Sequence, residues 1–156
     1  IHGRLGDAKR FRNLAGVRSF SGLVPRRDDS GHTATAGGPT KAGDACLSEA
    51  LFTSADHARK IDPRLAQRYH RLMTVEGKHH TSALCHIATV LLTRIAACLR
   101  ADQPYQLRDI DGTPITETEG RVIVADRYTV PKATRTARRA ATTTSRQLVS
   151  PAFLGQ

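Results

Sequence analysis

Three successive apolar periodicities between residues 44 and 101 constrain the fold more than any other feature of this sequence. In each segment, apolar side chains recur every three or four residues, which places them on one face of an α-helix. The segments cover Asp44 to Lys60, the stretch that begins at Asp62-Pro63, and His79 to Ala101. The apolar positions are Leu47, Leu51, Ala55 and Ala58, then Leu65, Tyr69 and Leu72, then Leu84, Ile87, Leu91, Ile95, Cys98 and Leu99. Asp62 should cap the second helix with proline in its first turn, and the third helix should be central.

The N-terminal part predicts one further helix and then a loop. The helix should run from a capping Asp7 to Ser21, with Gly22 ending it and Pro25 preventing its continuation. From Pro25 to Thr40 we expect a loop with a short strand or hairpin at His32 to Ala36. The glycine pair and proline at positions 37–39 argue against any long strand.

The C-terminal part predicts a turn at Asp109 to Thr116, followed by a short helix from Glu117 to Tyr128 with Thr116 as its cap. Beyond Pro131 the chain is basic, rich in threonine and poor in large apolar residues. That composition is typical of a disordered arm, although a helix lying on a nucleic acid would also fit. The prediction is therefore a mainly α fold: a compact helical domain over residues 1–110, with a loop or β-hairpin segment near its N-terminus. Residues 111–156 would form a short helix and a basic, disordered tail.

Charge is concentrated at the two ends of the chain. The formal net charge is +10, with eight Lys and Arg against three Asp and Glu over residues 1–41, nine against ten over 42–120, and seven against one over 121–156. Such an excess favours a polyanionic partner, nucleic acid first. In the tail, Arg135, Arg138 and Arg139 have almost no acidic neighbours and are candidates for contacts with backbone phosphates. Arg68, Arg71 and Lys78 form either a basic ridge for DNA or RNA or an ordinary solvated helix face.

The cysteines, histidines and tyrosines indicate structural roles. Three cysteines do not make a disulfide framework, and Cys46, Cys85 and Cys98 lie in helical patterns, so we expect them to be small buried hydrophobes. Seven histidines invite a metal site, but adjacent histidines on a helix diverge, so no metal site is predicted. Tyr69 should be a core residue with its hydroxyl at the edge. The most apolar stretch carries Arg94 and is shorter than a membrane span, so we expect a soluble cytoplasmic chain.

Residues 22–43, which read GLVPRRDDSGHTATAGGPTKAG, raise the question of chemistry. Ser30 has a small hydroxyl next to a glycine, and the cations Arg26, Arg27 and Lys41 are near in sequence. A serine that attacks a phosphodiester needs such groups, because charge develops on the phosphoryl oxygens and guanidinium groups bind those oxygens with forked hydrogen bonds. The serine also needs a base or a metal to take its proton, and the neighbouring aspartates would repel a phosphate. The alternative is an ordinary solvated turn with arginines paired to aspartates.

The motifs FRNLAGVRSFSGLVPRRDDSG and PTKAGDACLSEALF, followed by AQRYHRLM and the long apolar helix, closely resemble the C-terminal half of one insertion-sequence transposase family. The resemblance covers Gly6 to about Tyr105, and the order GLVPR, SG, TKAG is its most specific part. Members join an N-terminal RuvC-like domain, which carries four acidic metal ligands, to a C-terminal transposase domain with a serine nucleophile. Many are recombinases guided by a bridge RNA.

The resemblance implies roles for particular residues. Ser30 matches the nucleophile, which would form a transient phosphoserine link to DNA, and Lys41 matches the lysine of the TKxG element. Mg²⁺ would be held by the RuvC-like acids, which this chain does not contain, so no cofactor is expected within it. The implied partners are DNA, a guide RNA and further copies of the protein, in the cytoplasm of a bacterium. The chain would be a C-terminal fragment and inactive alone.

Several positions depart from the family pattern. Many members have basic residues where this chain has Ala34, Thr35 and Ala36, a hydrophobic residue in place of Pro39, and arginine in place of Ser48. These differences remove positive charge around the expected DNA face. Two other functions therefore remain open: a non-catalytic, basic nucleic-acid-binding module, or an inactive remnant of a transposase.

Overall fold

The computed structural model describes residues 1–23, 25–27, 36–39 and 43–137. Six α-helices, one 3₁₀ helix and two strands make up the named elements of that part of the chain. In chain order they are α1 (His2–Leu5), the 3₁₀ helix (Ala8–Arg10), α2 (Leu14–Ser21), β1 (Pro25–Arg27), β2 (Ala36–Pro39), α3 (Ala45–Ala58), α4 (Pro63–Thr74), α5 (His80–Ala101) and α6 (Glu117–Arg127). The mainly α prediction is confirmed.

Helix α5 is the centre of the fold, as predicted. It packs against α2, α3, α4 and the 3₁₀ helix, while α6 packs against α4. The predicted inward positions Leu47, Leu51, Ala55, Leu65, Tyr69 and Leu72 are all buried, which confirms the faces of α3 and α4. Val130, after α6, also belongs to the core, so residues beyond 111 contribute to it.

The predicted caps Asp62 and Thr116 are confirmed, and Asp44 is a further cap that was not predicted. Asp44 accepts a hydrogen bond from the backbone N–H of Leu47 (2.9 Å), and Asp62 accepts from those of Arg64 and Leu65. Thr116 and Glu119 form a capping box at the start of α6, because each side chain bonds the other residue's backbone N–H. These side chains satisfy N–H groups that the first turn of a helix leaves without a partner.

The single N-terminal helix predicted from Asp7 to Ser21 is wrong. Asp7 caps only the short 3₁₀ helix through the N–H of Lys9 (2.8 Å), and residues 11–13 are bent. Asn13 then caps a new helix, α2, through the N–H of Gly16 (2.9 Å). Asp7 and Asn13 are both good capping residues within one stretch of helically spaced apolar residues, and a new helix begins after Asn13. The predicted end is correct, since Gly22 is left-handed with φ of 69°.

The residues of α5 that are buried in the core lie on a somewhat different face of the helix from the predicted one. Leu84 and Ile87 are buried as expected, but Leu91, Ile95, Cys98 and Leu99 are only half-buried, and three alanines are among the buried residues instead. The fully buried set is Ala83, Leu84, Ile87, Ala88, Leu92 and Ala96. Alanine permits close approach of neighbouring helices, which the count of large apolar residues did not reveal. By length and composition alone α5 could also cross a membrane, a test that core helices of soluble proteins pass as well.

The cysteine prediction is corrected in part. Cys46 is exposed, and Cys85 and Cys98 are half-buried, so none is a fully buried core residue. Cys46 precedes the buried Leu47 on α3, and successive side chains of an α-helix are about 100° apart around its axis, so Cys46 lies off the buried face. All three are free thiols, and burial raises the pKa of Cys85.

The strand and tail predictions are refined. β1 and β2 pair antiparallel, with Pro25 opposite Pro39 and Arg27 opposite Ala36, so the hairpin is present but its second strand is displaced toward the glycine pair. The strand predicted at residues 32–36 lies outside the described residues except for Ala36. In the tail, residues 132–137 are helical, which differs from the predicted disorder, and residues 138–156 lie outside the described part of the chain.

Candidate nucleic-acid interface

The segment that carries Ser30 leaves the helical body and returns to it at two glycines in contact. Gly22 ends α2, and Gly43 packs so closely against it that a Cβ on Gly43 would overlap the Gly22 backbone. The backbone N–H of Asp44 donates to the carbonyl of Phe20 (3.2 Å), which joins the start of α3 to the end of α2. Both ends of residues 22–43 are thus fixed on the core.

The hairpin brings two parts of this segment together. Arg26 and Arg27 lie on β1, whose backbone pairs with β2, and Lys41 follows β2 by two residues in the chain. Ser30 belongs to residues 28–35, which connect the two strands. Ser30 and Lys41 themselves lie outside the described residues, so their predicted roles stay predictions, as do those of the arginine side chains on β1.

A second basic region surrounds Tyr69. The hydroxyl of Tyr69 is 2.7 Å from Nδ1 of His80, and the guanidinium of Arg59 lies 4.1 Å from the centre of the tyrosine ring. Arg135, exposed on the helical turn at 132–137, is near enough for its charge to act on both Tyr69 and His80. Arg135 thus acts on the same two groups as Arg59, a residue that was not predicted to belong to a basic region. Arg138 and Arg139 lie outside the described residues.

The positive charge of this region is reflected in its titrating groups. Burial lowers the pKa of His80, and the cations Arg59 and Arg135 lower it further. Burial raises the pKa of the Tyr69 hydroxyl, although the same arginines oppose that effect. The predicted position of Tyr69, with its ring in the core and its hydroxyl at the edge, is confirmed. His79 caps α5 by accepting from the N–H of Thr81 (3.2 Å).

Arg68 and Arg71, two of the three residues considered as a basic ridge or a solvated helix face, line a groove, and Lys78 is not among its lining residues. Arg68 and Arg71 are exposed on α4, and Glu76 contacts both Arg71 (3.4 Å) and Lys78 (3.8 Å). The groove has a volume of about 720 Å³ and is also lined by Arg64, which the sequence analysis passed over. The sequence could have indicated Arg64 as a member of this surface, since positions 64, 68 and 71 share one face of a helix.

An internal ion pair joins α4, α5 and the chain that follows α5. Asp62 Oδ2 accepts from Arg94 Nη1 (2.6 Å) and from the hydroxyl of Tyr105 (2.6 Å). Burial and the bond to Asp62 raise the pKa of Tyr105 to about 12. The pair borders a cavity of about 800 Å³, whose apolar wall is formed by the half-buried side of α5. The sequence analysis missed this arrangement, because Asp62 and Tyr105 lie far apart in the chain.

Within the ranges 1–23, 25–27, 36–39 and 43–137, no group of three or more His, Cys, Asp or Glu side chains is placed to hold a metal ion. The family resemblance places Mg²⁺ on a RuvC-like domain and not on these residues.

Comparison with known proteins gives two matches. Residues 1–70 match the family described as Transposase IS116/IS110/IS902. A 43.6 kDa uncharacterized protein of insertion element IS110 from Streptomyces coelicolor is 30% identical over 104 residues, which is 67% of this chain. The match covers 25% of that relative's length. No solved structure matches the chain. From α1 into α4, including residues 22–43, the chain is therefore similar to insertion-sequence transposases of the IS116/IS110/IS902 type.

Proposed function

We propose that this chain acts in DNA transposition, as part of an insertion-sequence transposase of the IS110 type. The observation that carries the proposal is the family match over residues 1–70, which contains the segment between Gly22 and Gly43. In this proposal residues 1–110 are the C-terminal transposase domain, and residues 111–156 add a short helix and a basic tail. The uneven charge, with cations concentrated at both ends, supports a nucleic-acid substrate.

Ser30 is the proposed nucleophile. Its Oγ would attack a DNA phosphorus and form a phosphoserine bond, while the bond from that phosphorus to one sugar oxygen breaks. The sugar oxygen leaves as a hydroxyl and gains a proton, and the serine loses one. One phosphodiester bond is exchanged for another, so the link can be reversed by a different DNA hydroxyl without an external energy source. The fixed ends of residues 22–43 support this role, because a nucleophile must be held in place to react.

Arg26, Arg27 and Lys41 are proposed to bind the phosphate under attack. Their charges would stabilise the negative charge that develops on the phosphoryl oxygens. Arg135, Arg138 and Arg139 are proposed to contact backbone phosphates farther from the reaction, where they would add affinity without sequence preference. A guide RNA, assembly with further copies, and Mg²⁺ on a RuvC-like domain are proposed on the family resemblance alone.

The test is to look for a covalent protein–DNA link in the complete protein to which the chain belongs. Labelled DNA carrying the element ends is incubated with the unaltered protein, with Ser30→Ala and with Ser82→Ala, and the adduct is measured on a denaturing gel. Ser82 is exposed on α5 and provides the matched control. We expect the adduct to disappear only in Ser30→Ala. An adduct that survives Ser30→Ala would rule out the serine assignment, and DNA binding with no adduct in any protein would favour the non-catalytic alternative.

A further inference from the structure

We propose that the groove along α4 binds the phosphate backbone of one strand of a DNA duplex, separately from residues 22–43. The choice of DNA as the polyanion rests on the proposed function. The surface itself is inferred from the exposed arginines of α4 and from the shape of the groove beside them. Here this surface is called the α4 groove, and it is lined by Arg64, Arg68 and Arg71 from α4, with Val90 and Ile110 opposite.

The arginines of α4 are spaced to follow a strand. At about 1.5 Å of rise per residue, positions 64 and 71 are separated by roughly 10 Å along the helix axis. One strand of B-DNA carries a phosphate about every 3.4 Å of axis, so three arginines over this length face about three phosphates. Arg64, Arg68 and Arg71 are all exposed. Each guanidinium can bind a phosphate with two parallel hydrogen bonds.

The α4 groove is also held in shape. The inner side of α4 carries the buried Leu65, Tyr69 and Leu72, which fix the helix on the core. On the far side, Nε of Arg64 donates to the carbonyl of Asp109 (3.2 Å) in the turn that contains Ile110. A surface with fixed walls binds with less loss of conformational freedom than a mobile one.

The balance of charge in the α4 groove favours an anion. Its lining contains four arginines and one acid, Glu76. Arg94 is neutralised by the buried Asp62 at 2.6 Å, while Glu76 lies 3.4 Å from Arg71 and is shared with Lys78 at 3.8 Å. The field extends to α5, where burial lowers the pKa of His86 and the charges of Lys78 and Arg68 lower it further.

The experiment measures binding of the full chain to a short DNA duplex by fluorescence anisotropy at several salt concentrations. The test variant is Arg68→Gln with Arg71→Gln, which leaves the bonded Arg64 in place. The matched control is Arg100→Gln with Arg121→Gln, because these two exposed arginines lie on α5 and α6 and their loss removes the same net charge. Melting temperatures of all three proteins confirm that they fold.

Loss of two phosphate contacts should reduce the slope of log affinity against log salt by about 1.8. Over a fourfold salt range, the affinity of the unaltered chain should then fall roughly tenfold more than that of the test variant. The control should keep the original slope. Equal slopes in the test and control variants would overturn the inference, and so would a loss seen with an RNA duplex but not with DNA.

These outcomes are separable from those of the proposed function. A chain that binds DNA without using Arg68 and Arg71 refutes the α4 groove and leaves the serine chemistry untouched. A chain that uses the α4 groove while the adduct survives Ser30→Ala refutes the serine assignment alone. Failure of the unaltered chain to bind DNA at all overturns the α4 groove, while the adduct assay on the complete protein still decides the serine assignment.

Discussion

At the scale of single residues, Asp62 is a buried acid that links the start of α4 to α5 and to the chain after α5. Its side chain is only 5% exposed. Oδ1 accepts a hydrogen bond from the first turn of α4, and Oδ2 accepts hydrogen bonds from Arg94 and Tyr105. Burial of a carboxylate lowers the stability of the folded state unless the carboxylate accepts hydrogen bonds. Here the N–H groups of α4, the guanidinium of Arg94 and the hydroxyl of Tyr105 donate those bonds.

Replacement of Asp62 by alanine should therefore lower the free energy of unfolding by about 3 kcal/mol, because it removes a cap and leaves Arg94 without its buried partner. Tyr105→Phe, which removes one hydrogen bond, should cost about 1 kcal/mol. Denaturant unfolding measures both. Asp7→Ala is the control, since Asp7 is an exposed cap of a short 3₁₀ helix. Equal costs for Asp62→Ala and Asp7→Ala would contradict the buried ion pair.

His80 should make the stability depend on pH. Burial, Arg59, Arg135 and His79 lower its pKa, and only Asp56 opposes them. A histidine with a lowered pKa in the folded state stabilises the protein above its unfolded pKa, about 6.5, and this contribution is lost as the pH falls through the folded value. The free energy of unfolding should thus decrease below about pH 6.5.

His80→Gln should reduce this decrease, which unfolding curves at several pH values would reveal. His86 also has a pKa lowered by burial, so His86→Gln tests whether the effect is shared. If the slope of stability against pH is the same in the unaltered protein and in His80→Gln, then His80 is not protonated differently in the folded and unfolded states. That result would contradict the inference that His80, beside Tyr69, lies in a positively charged environment.

At the scale of elements, the sequence was most informative where the decisive contact is local. Asp62 and Thr116 were recognised as caps because each bonds a residue within three positions. The break before α2 was missed because Asp7 and Asn13 are both good caps, and local pattern does not rank them. The rotation of α5 was missed because its inner face is set by alanines. The contact of Asp62 with Tyr105 depends on how α4 and α5 pack, which no local pattern contains.

Gly120 determines how closely α6 approaches the start of α4. It is the buried residue of α6, and a Cβ there would overlap the carbonyl of Ile61. Helix propensity alone predicts that alanine would stabilise α6 by about 1 kcal/mol. Overlap with a backbone carbonyl should outweigh that gain and destabilise the protein by about 1–3 kcal/mol.

Gly16→Ala in α2 is the matched control for Gly120→Ala. Both glycines are helical, but a Cβ on Gly16 would meet its neighbours at 3.7 Å or more, which is ordinary contact. Gly16→Ala should therefore be neutral or stabilising, and Gly120→Ala destabilising, in the same unfolding assay. Similar behaviour of the two variants would mean that α6 can shift away from Ile61 without cost.

At the scale of the whole molecule, a helical core carries one basic region around Tyr69 and another along α4. The core is fixed by α5 and its neighbours, and the segment that contains Ser30 begins and ends on it at Gly22 and Gly43. The number of charged residues follows from the sequence, but which of them lie close together in the fold could not be predicted from it. The charge of Arg135 acts on Tyr69 and His80 although Arg135 lies far from both in the chain, which no local pattern predicts. The proposed nucleophile, Ser30, was predicted from the family resemblance, because the charge pattern alone does not distinguish it from a serine in a solvated turn.

The contact between Gly22 and Gly43 predicts a separate effect on stability and chemistry. A methyl group at position 43 would overlap the Gly22 backbone, so Gly43→Ala must separate the two ends of the segment, at a cost of about 1–3 kcal/mol. Gly3→Ala is the control, since a Cβ there meets nothing within 4 Å. If Ser30 is the nucleophile, the yield of the covalent DNA adduct should fall much more than the affinity for DNA, because phosphate contacts elsewhere remain while the hydroxyl is misplaced. Adduct yield and affinity that fall together would instead indicate that residues 22–43 serve binding alone.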